Sequence, residues 1–161
     1  MKYAIAQRMD IKAILSLKNQ VKKRILLEGL PIWLDGYPSD ELIIEDVERG
    51  FGRVGIENGN IICYASLYHS IKDYPADTFQ KENTLSFGRI MVCNDYLGKH
   101  SASFLVSEMI KEAKRKSYAG IGILVDSCNR RALKLYEGYG FLKEGSRQFP
   151  YAYLDIYGLY F

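Results

Sequence analysis

Residues 129–141 read Asn129-Arg130-Arg131-Ala132-Leu133-Lys134-Leu135-Tyr136-Glu137-Gly138-Tyr139-Gly140-Phe141. Asparagine is favoured just before the first turn of a helix and glycine just past its last turn. The stretch therefore predicts a short helix that starts at Asn129 and stops at Gly140. Residues spaced i, i+3, i+4 and i+7 form one face of such a helix, and here they are Ala132, Leu135, Tyr136 and Tyr139. A phenol thus lies on the face that should be buried, where a tyrosine hydroxyl usually has a hydrogen-bond partner.

The pattern N-x-x-A-x-x-L-Y-E-x-x-G-F in this stretch resembles the last helical motif of the GNAT acyltransferases, which move an acetyl group from acetyl-CoA to an amine. The resemblance implies that the Asn129 side chain bonds the pantetheine arm of the cofactor. It also implies that Tyr136 is the catalytic acid, which protonates the departing CoA thiolate. Ala132 and Tyr136 then belong with Asn129 to the cofactor-binding residues.

The rest of the chain predicts elements in the order β-α-α-β-β-β-α-β-α-β-β. Alternation and short apolar runs predict strands over residues 3–7, 51–57, 60–68, 85–92, 121–125, 141–148 and 153–161. Helical spacing predicts helices over residues 11–28, 40–49 and 98–116, with Asp10 and Ser39 as caps of the first two. Asn58-Gly59 between two of the strands is a strong hairpin signal.

This order predicts an α/β fold in which helices cover both faces of a mixed sheet, within a single domain of residues 1–161. It is also the order of elements in GNAT proteins. The resemblance therefore covers the whole chain in architecture, and residues 85–141 in its motifs. It adds the expectation of a sheet that is splayed at its centre.

Composition limits the function classes. A chain of 161 residues with 48% hydrophobic and 25% charged residues is typical of a soluble globular domain. The net charge of +3, without a block of five like charges, argues against a nucleic-acid-binding arm. No apolar run approaches the roughly 18 residues of a membrane span, and the first eight residues lack the apolar region of a signal peptide. We expect a cytoplasmic protein that binds neither nucleic acid nor a membrane.

Cysteine, histidine and aromatic residues give weaker signals. Cys63, Cys93 and Cys128 lie in or beside apolar runs, so free buried thiols are favoured over disulfides or a metal site. The two histidines are too few for a zinc site without cysteine ligands, and no metal is expected. The many aromatic residues near the C-terminus indicate a packed sheet face. A pocket wall, or a contact between the subunits of a homodimer, is the alternative.

A CoA site must hold a pyrophosphate, and free N–H groups at the start of a helix bind such anions. The turn before the third helix reads Tyr96-Leu97-Gly98-Lys99-His100-Ser101-Ala102. It is similar to the GNAT turn Arg/Gln-x-x-Gly-x-Gly/Ala, and the resemblance makes the residues from Leu97 to Ala102 cofactor-binding.

This turn departs from the family pattern at two positions. Leu97 stands where Arg or Gln is usual, so a charge that helps to hold the turn is missing. His100 stands where Gly is usual and adds a side chain at a point where the backbone approaches phosphate. Its N–H stays available if its backbone dihedrals are ordinary. Ser101 adds a hydroxyl donor and Lys99 a positive charge, and we expect a weakened affinity for CoA.

The strand before this turn includes Phe87-Gly88-Arg89-Ile90-Met91-Val92 and resembles the GNAT strand whose backbone pairs with pantetheine. The resemblance implies that Ile90, Met91 and Val92 contact the cofactor. The N–H of Met91 or Val92 would then polarise the thioester carbonyl, because such donors stabilise a developing oxyanion. A plain core strand is the alternative. Gly88 within the strand indicates a bulge or a close approach of another group.

In GNAT proteins the acceptor pocket forms largely between the first two helices and the loop before the fourth strand. In this chain those regions carry Trp33, Tyr37, Tyr68 and Tyr74, which we interpret as substrate-binding residues. An aromatic wall suits an apolar or cationic amine. Packing of the linker between the helices is the alternative for Trp33 and Tyr37.

The general base stays open. His69 ends the third strand and could reach a cleft, with a plain surface histidine as the alternative. Asp73, Asp77 and Glu82 lie in the irregular segment before the fourth strand, where solvated acids are the default.

The resemblance predicts an acetyl-CoA-dependent N-acetyltransferase. It would transfer the acetyl group to a primary amine of a small molecule or peptide by direct attack. The alternative is a GNAT-fold protein that binds CoA or regulates a partner, with weak or no catalysis. The turn at Leu97 and His100 favours that alternative, whereas Asn129 and Tyr136 favour the enzyme. A toxin that acetylates RNA is disfavoured by the modest charge.

Overall fold

The computed structural model describes residues 1–68 and 77–161. The helices are α1 Ile11–Glu28, α2 Asp40–Glu48, α3 Ser101–Arg115 and α4 Arg130–Gly138. The strands are β1 Lys2–Ile5, β2 Gly52–Glu57, β3 Asn60–Tyr68, β4 Thr84–Val92, β5 Gly120–Val125, β6 Leu142–Gln148 and β7 Tyr153–Tyr160. Short 3-10 turns at Arg8–Asp10 and Asn94–Tyr96 precede α1 and α3. The predicted order of elements is confirmed.

The strands form a seven-stranded sheet in the order β1-β2-β3-β4-β5-β7-β6. β4 and β5 are parallel, whereas β1 and β2, β2 and β3, β5 and β7, and β6 and β7 pair antiparallel. The mixed α/β class is confirmed. The chain divides into two compact units, and the division passes through β4. Unit 1 comprises Met1–Leu67 and Arg89–Met109, and unit 2 comprises Tyr68–Gly88 and Ile110–Phe161.

Unit 1 contains β1, β2, β3, α1 and α2. The predicted hairpin at Asn58-Gly59 joins β2 to β3. Both residues have positive φ angles, of 51° and 76°, as a tight type I′ turn requires. Its core is formed by apolar side chains from both helices, from the strands and from the end of β4. The buried members are Ala6, Ile14, Leu17, Val21, Ile43, Val47, Val54, Tyr64 and Met91.

Unit 2 contains the first half of β4, together with β5, α4, β6 and β7. The β5 run is buried, as the sequence predicts for a parallel strand. Phe79 packs directly on Gly122 of this strand, because a Cβ at Gly122 would lie only 2.1 Å from the Phe79 ring. The glycine is therefore needed for the aromatic ring to approach the sheet.

Two predictions about helix starts are wrong. Asp10 does not cap α1 with its side chain. Its Oδ2 instead accepts a hydrogen bond from the Gln7 N–H at 2.7 Å and closes the 3-10 turn. The third helix starts at Ser101 and not at Gly98. Gly98 and His100 have φ angles of 73° and 61°, and such left-handed residues cannot belong to a right-handed helix.

Other local predictions are confirmed. The Ser39 Oγ accepts from the Leu42 N–H at 3.1 Å and caps α2. The three cysteines are free: Cys63 is buried, and Cys93 and Cys128 are half-buried. Within residues 1–68 and 77–161, none of the helices has the length and apolar content needed to cross a bilayer.

Candidate functional site

The pairing and the burial of β4 both change halfway along the strand. Its parallel ladder with β5 runs from Thr84 opposite Gly120 to Phe87 opposite Ile123, while β4 itself continues to Val92. The residues before Gly88 are buried, whereas Gly88, Arg89 and Ile90 are half-buried in the middle of the strand. The half-buried residues of β4 therefore follow directly after the end of its ladder with β5.

The irregularity expected at Gly88 lies instead at Arg89. Arg89 has a φ of 51°, the left-handed conformation that L-residues rarely adopt within a strand. The φ of Gly88 is not positive, so the strand does not use its conformational freedom. Of the predicted cofactor residues in this strand, Ile90 is half-buried and Met91 and Val92 are buried.

The turn after β4 presents backbone N–H groups at the start of α3. The first α-helical bond joins the Phe104 N–H to the His100 carbonyl at 2.8 Å. The N–H groups of Ser101 and Ala102 precede that bond, so the helix itself supplies no acceptor for them. A Cβ placed on Gly98 would meet no atom within 4 Å. This arrangement, with open space before a helix start, suits an anion.

The side chains of the turn differ from the expectation in detail. Leu97, Lys99 and His100 are exposed, whereas Ser101 is buried. His100 lacks the ordinary dihedrals that the sequence analysis required of it, because its φ is 61°. The Ser101 hydroxyl donates to the Tyr96 carbonyl at 3.5 Å, and the Lys99 ammonium lies 5.1 Å from the centre of the Tyr96 ring. Both side chains therefore also brace the turn.

Two residues of α1 hold the start of this turn, and the sequence analysis missed them. The Arg24 Nη1 donates to the Val92 carbonyl at 3.1 Å and also to the Asn94 Oδ1. The Gln20 Oε1 accepts from the Asn94 N–H at 2.8 Å. They provide the support that the turn lacks at Leu97. In the sequence, the only sign of this role is the i, i+4 spacing of Gln20 and Arg24 on one face of α1. That spacing is too common to identify them.

In unit 2, Asn129 caps α4 as predicted. Its Oδ1 accepts from the Ala132 N–H at 3.3 Å, which leaves the amide NH₂ for other partners. Gly140 has a φ of 88° just past the end of the helix, as expected of a terminating glycine. The most buried face is formed by Leu133 and Tyr136, with Ala132 half-buried beside it. The buried face of α4 is therefore rotated slightly from the predicted one, and it includes Leu133, which the sequence analysis did not place there.

Tyr136 is buried among aromatic rings. It exposes only 4% of its surface. Its ring centre lies 5.5 Å from that of Phe87 and 6.0 Å from that of Phe141. Burial raises the pKa of the phenol well above its usual value, so the hydroxyl stays protonated. Contrary to the usual pattern for buried tyrosines, no residue in the described part of the chain is hydrogen-bonded to this hydroxyl.

A buried charge cluster in unit 1 was also missed. The Arg89 Nε and Nη2 donate to the Asp46 Oδ2 and Oδ1 at 3.0 and 3.2 Å. The Ser66 hydroxyl lies 2.5 Å from the Asp46 Oδ2, and the Tyr64 hydroxyl lies 3.3 Å from it. The partners are far apart in sequence, and no short motif announces them.

Of the predicted substrate residues, the structure describes Trp33, Tyr37 and Tyr68. Trp33 packs against the unit 1 core, as the helix-linker alternative expects, and it meets the Tyr37 ring edge-on at 6.4 Å. Tyr37 exposes 36% of its surface, and its hydroxyl accepts from the Arg89 Nη1 at 3.2 Å. Tyr68 is buried at the end of β3, in unit 2. Tyr74 lies outside the described residues.

The structure does not identify a general base among the candidate residues. His69 and Asp73 lie outside the described residues. Asp77 is paired with Arg147, with Nη1 to Oδ1 and Nη2 to Oδ2 distances of 3.1 and 3.2 Å, and the Arg147 hydrogen bond lowers the pKa of this carboxyl. Glu82 is exposed. Asp126 just after β5 is half-buried, and burial, then the negative charge of Asp155, raises its pKa.

The sequence profile of the Acetyltransferase (GNAT) family matches residues 21–141. No curated protein matches the chain significantly in sequence. Among solved structures, a GNAT-family acetyltransferase from Streptococcus agalactiae superposes with a TM-score of 0.87 at 21% identity, over 99% of this chain and 95% of that one.

Two other similar structures carry ligands in their crystals. The paia N-acetyltransferase from Thermoplasma acidophilum, in complex with coenzyme A, has a TM-score of 0.76 at 15% identity and covers 99% of this chain and 98% of its own. The protein yncA from Salmonella typhimurium, with acetyl-CoA, has a TM-score of 0.72 at 22% identity, with coverages of 99% and 92%. These similarities show the fold, and the profile match spans three quarters of the sequence. The chain therefore belongs to the GNAT family of acetyltransferases.

Proposed function

We propose that this protein is an acetyl-CoA-dependent N-acetyltransferase that acetylates a primary amine of a small molecule or peptide by direct attack. The observation that carries the proposal is the hydroxyl of the buried residue Tyr136. It is protonated and has no hydrogen-bond partner among residues 1–68 and 77–161. A phenol hydroxyl without such a partner can donate a hydrogen bond to a ligand.

The residues present fit acetyl-CoA, which supplies a thioester-activated acetyl group when bound. The N–H groups of Ser101 and Ala102 at the start of α3 would hold the diphosphate, with Gly98 leaving room in front of them. Leu97, Lys99 and His100 complete this turn. The half-buried residues Gly88, Arg89 and Ile90 support a role for β4 in holding the pantetheine arm.

Residues of α4 would hold the same arm. The Asn129 Oδ1 is occupied by its capping bond to Ala132, so its amide NH₂ would donate to the arm. Ala132 is small and half-buried, which suits close contact.

Tyr136 would act as the general acid. Its raised pKa keeps the phenol neutral over the physiological pH range, so the proton is present when the thiolate departs. Apolar surroundings disfavour both a thiolate and a tyrosinate, so Tyr136 would pass its proton to the thiolate and regain one from the attacking amine, which must lose a proton to form the amide. The N–H of Met91 or Val92 would stabilise the negative charge that develops on the carbonyl oxygen. Holding amine and thioester together supplies a further part of the rate.

The acceptor would bind near the aromatic residues Trp33, Tyr37, Tyr68 and Tyr74. The exposed part of Tyr37 supports this role. The Asp46 carboxylate is already paired with Arg89, so it would not serve to bind a cationic acceptor. An apolar amine, or a cation held by an aromatic face, fits the remaining groups.

The two compact units would work together as one acetyltransferase domain over residues 1–161, since the family profile runs through both. The free thiols support a cytoplasmic location. The exposed side chains of Leu142 and Tyr153 on β6 and β7 support a homodimer, which light scattering after gel filtration would test.

A second candidate function is a CoA-binding or regulatory module with weak or no catalysis. His100 favours it, because a side chain in a left-handed backbone conformation occupies a position where phosphate would approach. Thermal unfolding with acetyl-CoA, together with thiol release against a panel of amines, separates the candidates. A raised melting temperature with amine-dependent thiol release supports the enzyme. A raised melting temperature without release supports the module, and no shift contradicts both.

A further inference from the structure

The Asp46–Arg89 pair takes no part in the chemistry proposed above, yet it is among the most buried charge pairs of unit 1. The side chains of Arg89 and Asp46 expose 8% and 4% of their surfaces. Their two hydrogen bonds, at 3.0 and 3.2 Å, form a fork, the geometry in which arginine binds a carboxylate most specifically. A pair of this kind fixes orientation as well as charge.

Both partners are held further by neighbouring hydroxyls. Ser66 and Tyr64 on β3 donate to the Asp46 Oδ2. On the other side, the third nitrogen of the Arg89 guanidinium donates to the Tyr37 hydroxyl at 3.2 Å. The guanidinium is therefore fixed by α2 and by the linker that precedes it. Such a network has one well-defined arrangement, because a partly satisfied network of buried charges is unfavourable.

The backbone of Arg89 is unusual in a way that this network explains. Its φ of 51° lies in the left-handed region, although it sits inside β4 and has a bulky side chain. Such a conformation persists only where the surroundings over-determine it. The preceding glycine could adopt it without strain, but the chain places the left-handed conformation on the residue whose side chain is anchored.

A left-handed residue turns the strand, so it sets the direction in which the following N–H and carbonyl groups point. It occurs two residues after the last β4–β5 ladder pair, Phe87 opposite Ile123, and immediately before Ile90, Met91 and Val92. We infer that Arg89 is a positioning residue: its left-handed backbone, whose side chain is anchored to Asp46, aims the backbone of residues 90–92. The link to cofactor binding rests on the proposed function; the conformational link does not.

The experiment compares two variants that lack the same guanidinium. In an Asp46→Asn background, which avoids leaving an unpaired buried carboxylate, Arg89 is replaced by Gly in one protein and by Ala in the other. Glycine accepts a left-handed φ without strain, whereas alanine does not. We expect the Gly variant to melt about 2–4 °C above the Ala variant. In an ordinary strand the order is reversed, because glycine is the poorer strand former.

A matched control uses Lys2, an exposed residue of β1 whose φ is not positive. There the Lys2→Ala variant should melt at or above the Lys2→Gly variant. The same order at Arg89 would overturn the inference. Substitution at an exposed edge residue also shows that both kinds of variant can be made and measured.

Isothermal titration with acetyl-CoA then tests whether the Arg89 backbone affects cofactor binding. We expect the Ala variant to bind at least about 10-fold more weakly than the Gly variant. Only in the Ala variant should residue 89 leave the left-handed conformation and turn the backbone of residues 90–92 away from its original direction. Equal affinities in the two variants, with tight binding by the parent protein, would overturn the positioning role. A parent protein that does not bind acetyl-CoA while the melting order holds would contradict the proposed function and leave the conformational inference supported.

Discussion

The ring of Phe87 lies edge-on to the ring of Tyr136, with centroids 5.5 Å apart and planes at 82°. Phe87 is the last residue of β4 that pairs with β5. Its ring therefore packs the end of this ladder against α4 within unit 2. Phe141 completes the cluster at 5.7 Å from Phe87. The side chain of Tyr136 is buried beside these rings.

Removing the Phe87 ring should destabilise the protein strongly. We expect Phe87→Ala to lower the free energy of unfolding by about 3–5 kcal/mol, because the cavity left in a packed cluster adds to the lost burial. Urea unfolding measures the effect. The control Leu27→Ala removes an exposed side chain and should change the stability by less than about 0.5 kcal/mol. Equal effects of the two substitutions would show that the aromatic cluster is not part of the core.

His100→Gly should stabilise the protein and improve binding of CoA. Glycine removes the steric cost of a left-handed L-residue, about 1 kcal/mol, and clears the approach of phosphate to the turn. Urea unfolding and titration with CoA measure the two effects. Lys99→Gly serves as the control in the same turn, since the φ of Lys99 is not positive, and it should not stabilise the protein. A His100→Gly variant that is no more stable than the parent would contradict the left-handed conformation.

Arg24→Met should weaken binding of CoA without unfolding the protein. The methionine keeps an unbranched apolar stem but loses the bonds to the Val92 carbonyl and to Asn94, which support the turn before α3. Hydrogen bonds from a charged group are worth about 1.5–3 kcal/mol, so the dissociation constant should rise about 10-fold or more. The exposed neighbour Lys23, replaced by Met, should leave it unchanged. If both variants bind CoA equally, α1 does not support the turn.

Asp155 should make stability depend on pH. Burial by itself raises the pKa of this carboxyl, but hydrogen bonds from Ser146 and Lys143, and the charge of Lys143, lower it below its usual value. The ionised form therefore stabilises the fold above the unfolded-state pKa of about 4, and this stability is lost as the pH falls through the lower folded-state value.

The matching variant is Asp155→Asn. It should cost about 2 kcal/mol of the free energy of unfolding at pH 7, and the difference from the parent should shrink as the pH is lowered below about 4. Urea unfolding at a series of pH values measures it. Ser127→Ala, at an exposed turn residue, should give the same difference from the parent at every pH. A difference for Asp155→Asn that does not change with pH would contradict the direction of the shift.

Features governed by neighbouring residues were predictable from the sequence. The Asn129 cap, the Asn58-Gly59 turn and the Ser39 cap each depend on chemistry within three residues, and local rules describe them well. The order of elements followed from the same rules. The resemblance then supplied the family, which the profile match confirms.

Features that join distant residues were not predictable. The Asp46–Arg89 bond spans 43 positions and the bond from Arg24 to Val92 spans 68, and neither partner stands in a recognisable motif. Asp10 failed as a cap because its carboxylate found a closer donor in Gln7. The left-handed conformation of Arg89 is accompanied by side-chain bonds to Asp46 and Tyr37, which residue preferences do not encode.

The most direct test of the central claim is the turnover of Tyr136→Phe. Phenylalanine keeps the ring contacts with Phe87 and Phe141 and removes only the hydroxyl, so the fold should persist. We predict that amine-dependent thiol release from acetyl-CoA falls about 100-fold or more, while the acetyl-CoA dissociation constant changes by less than about 3-fold and the control Tyr139→Phe retains full turnover. Unchanged turnover in Tyr136→Phe would contradict the account.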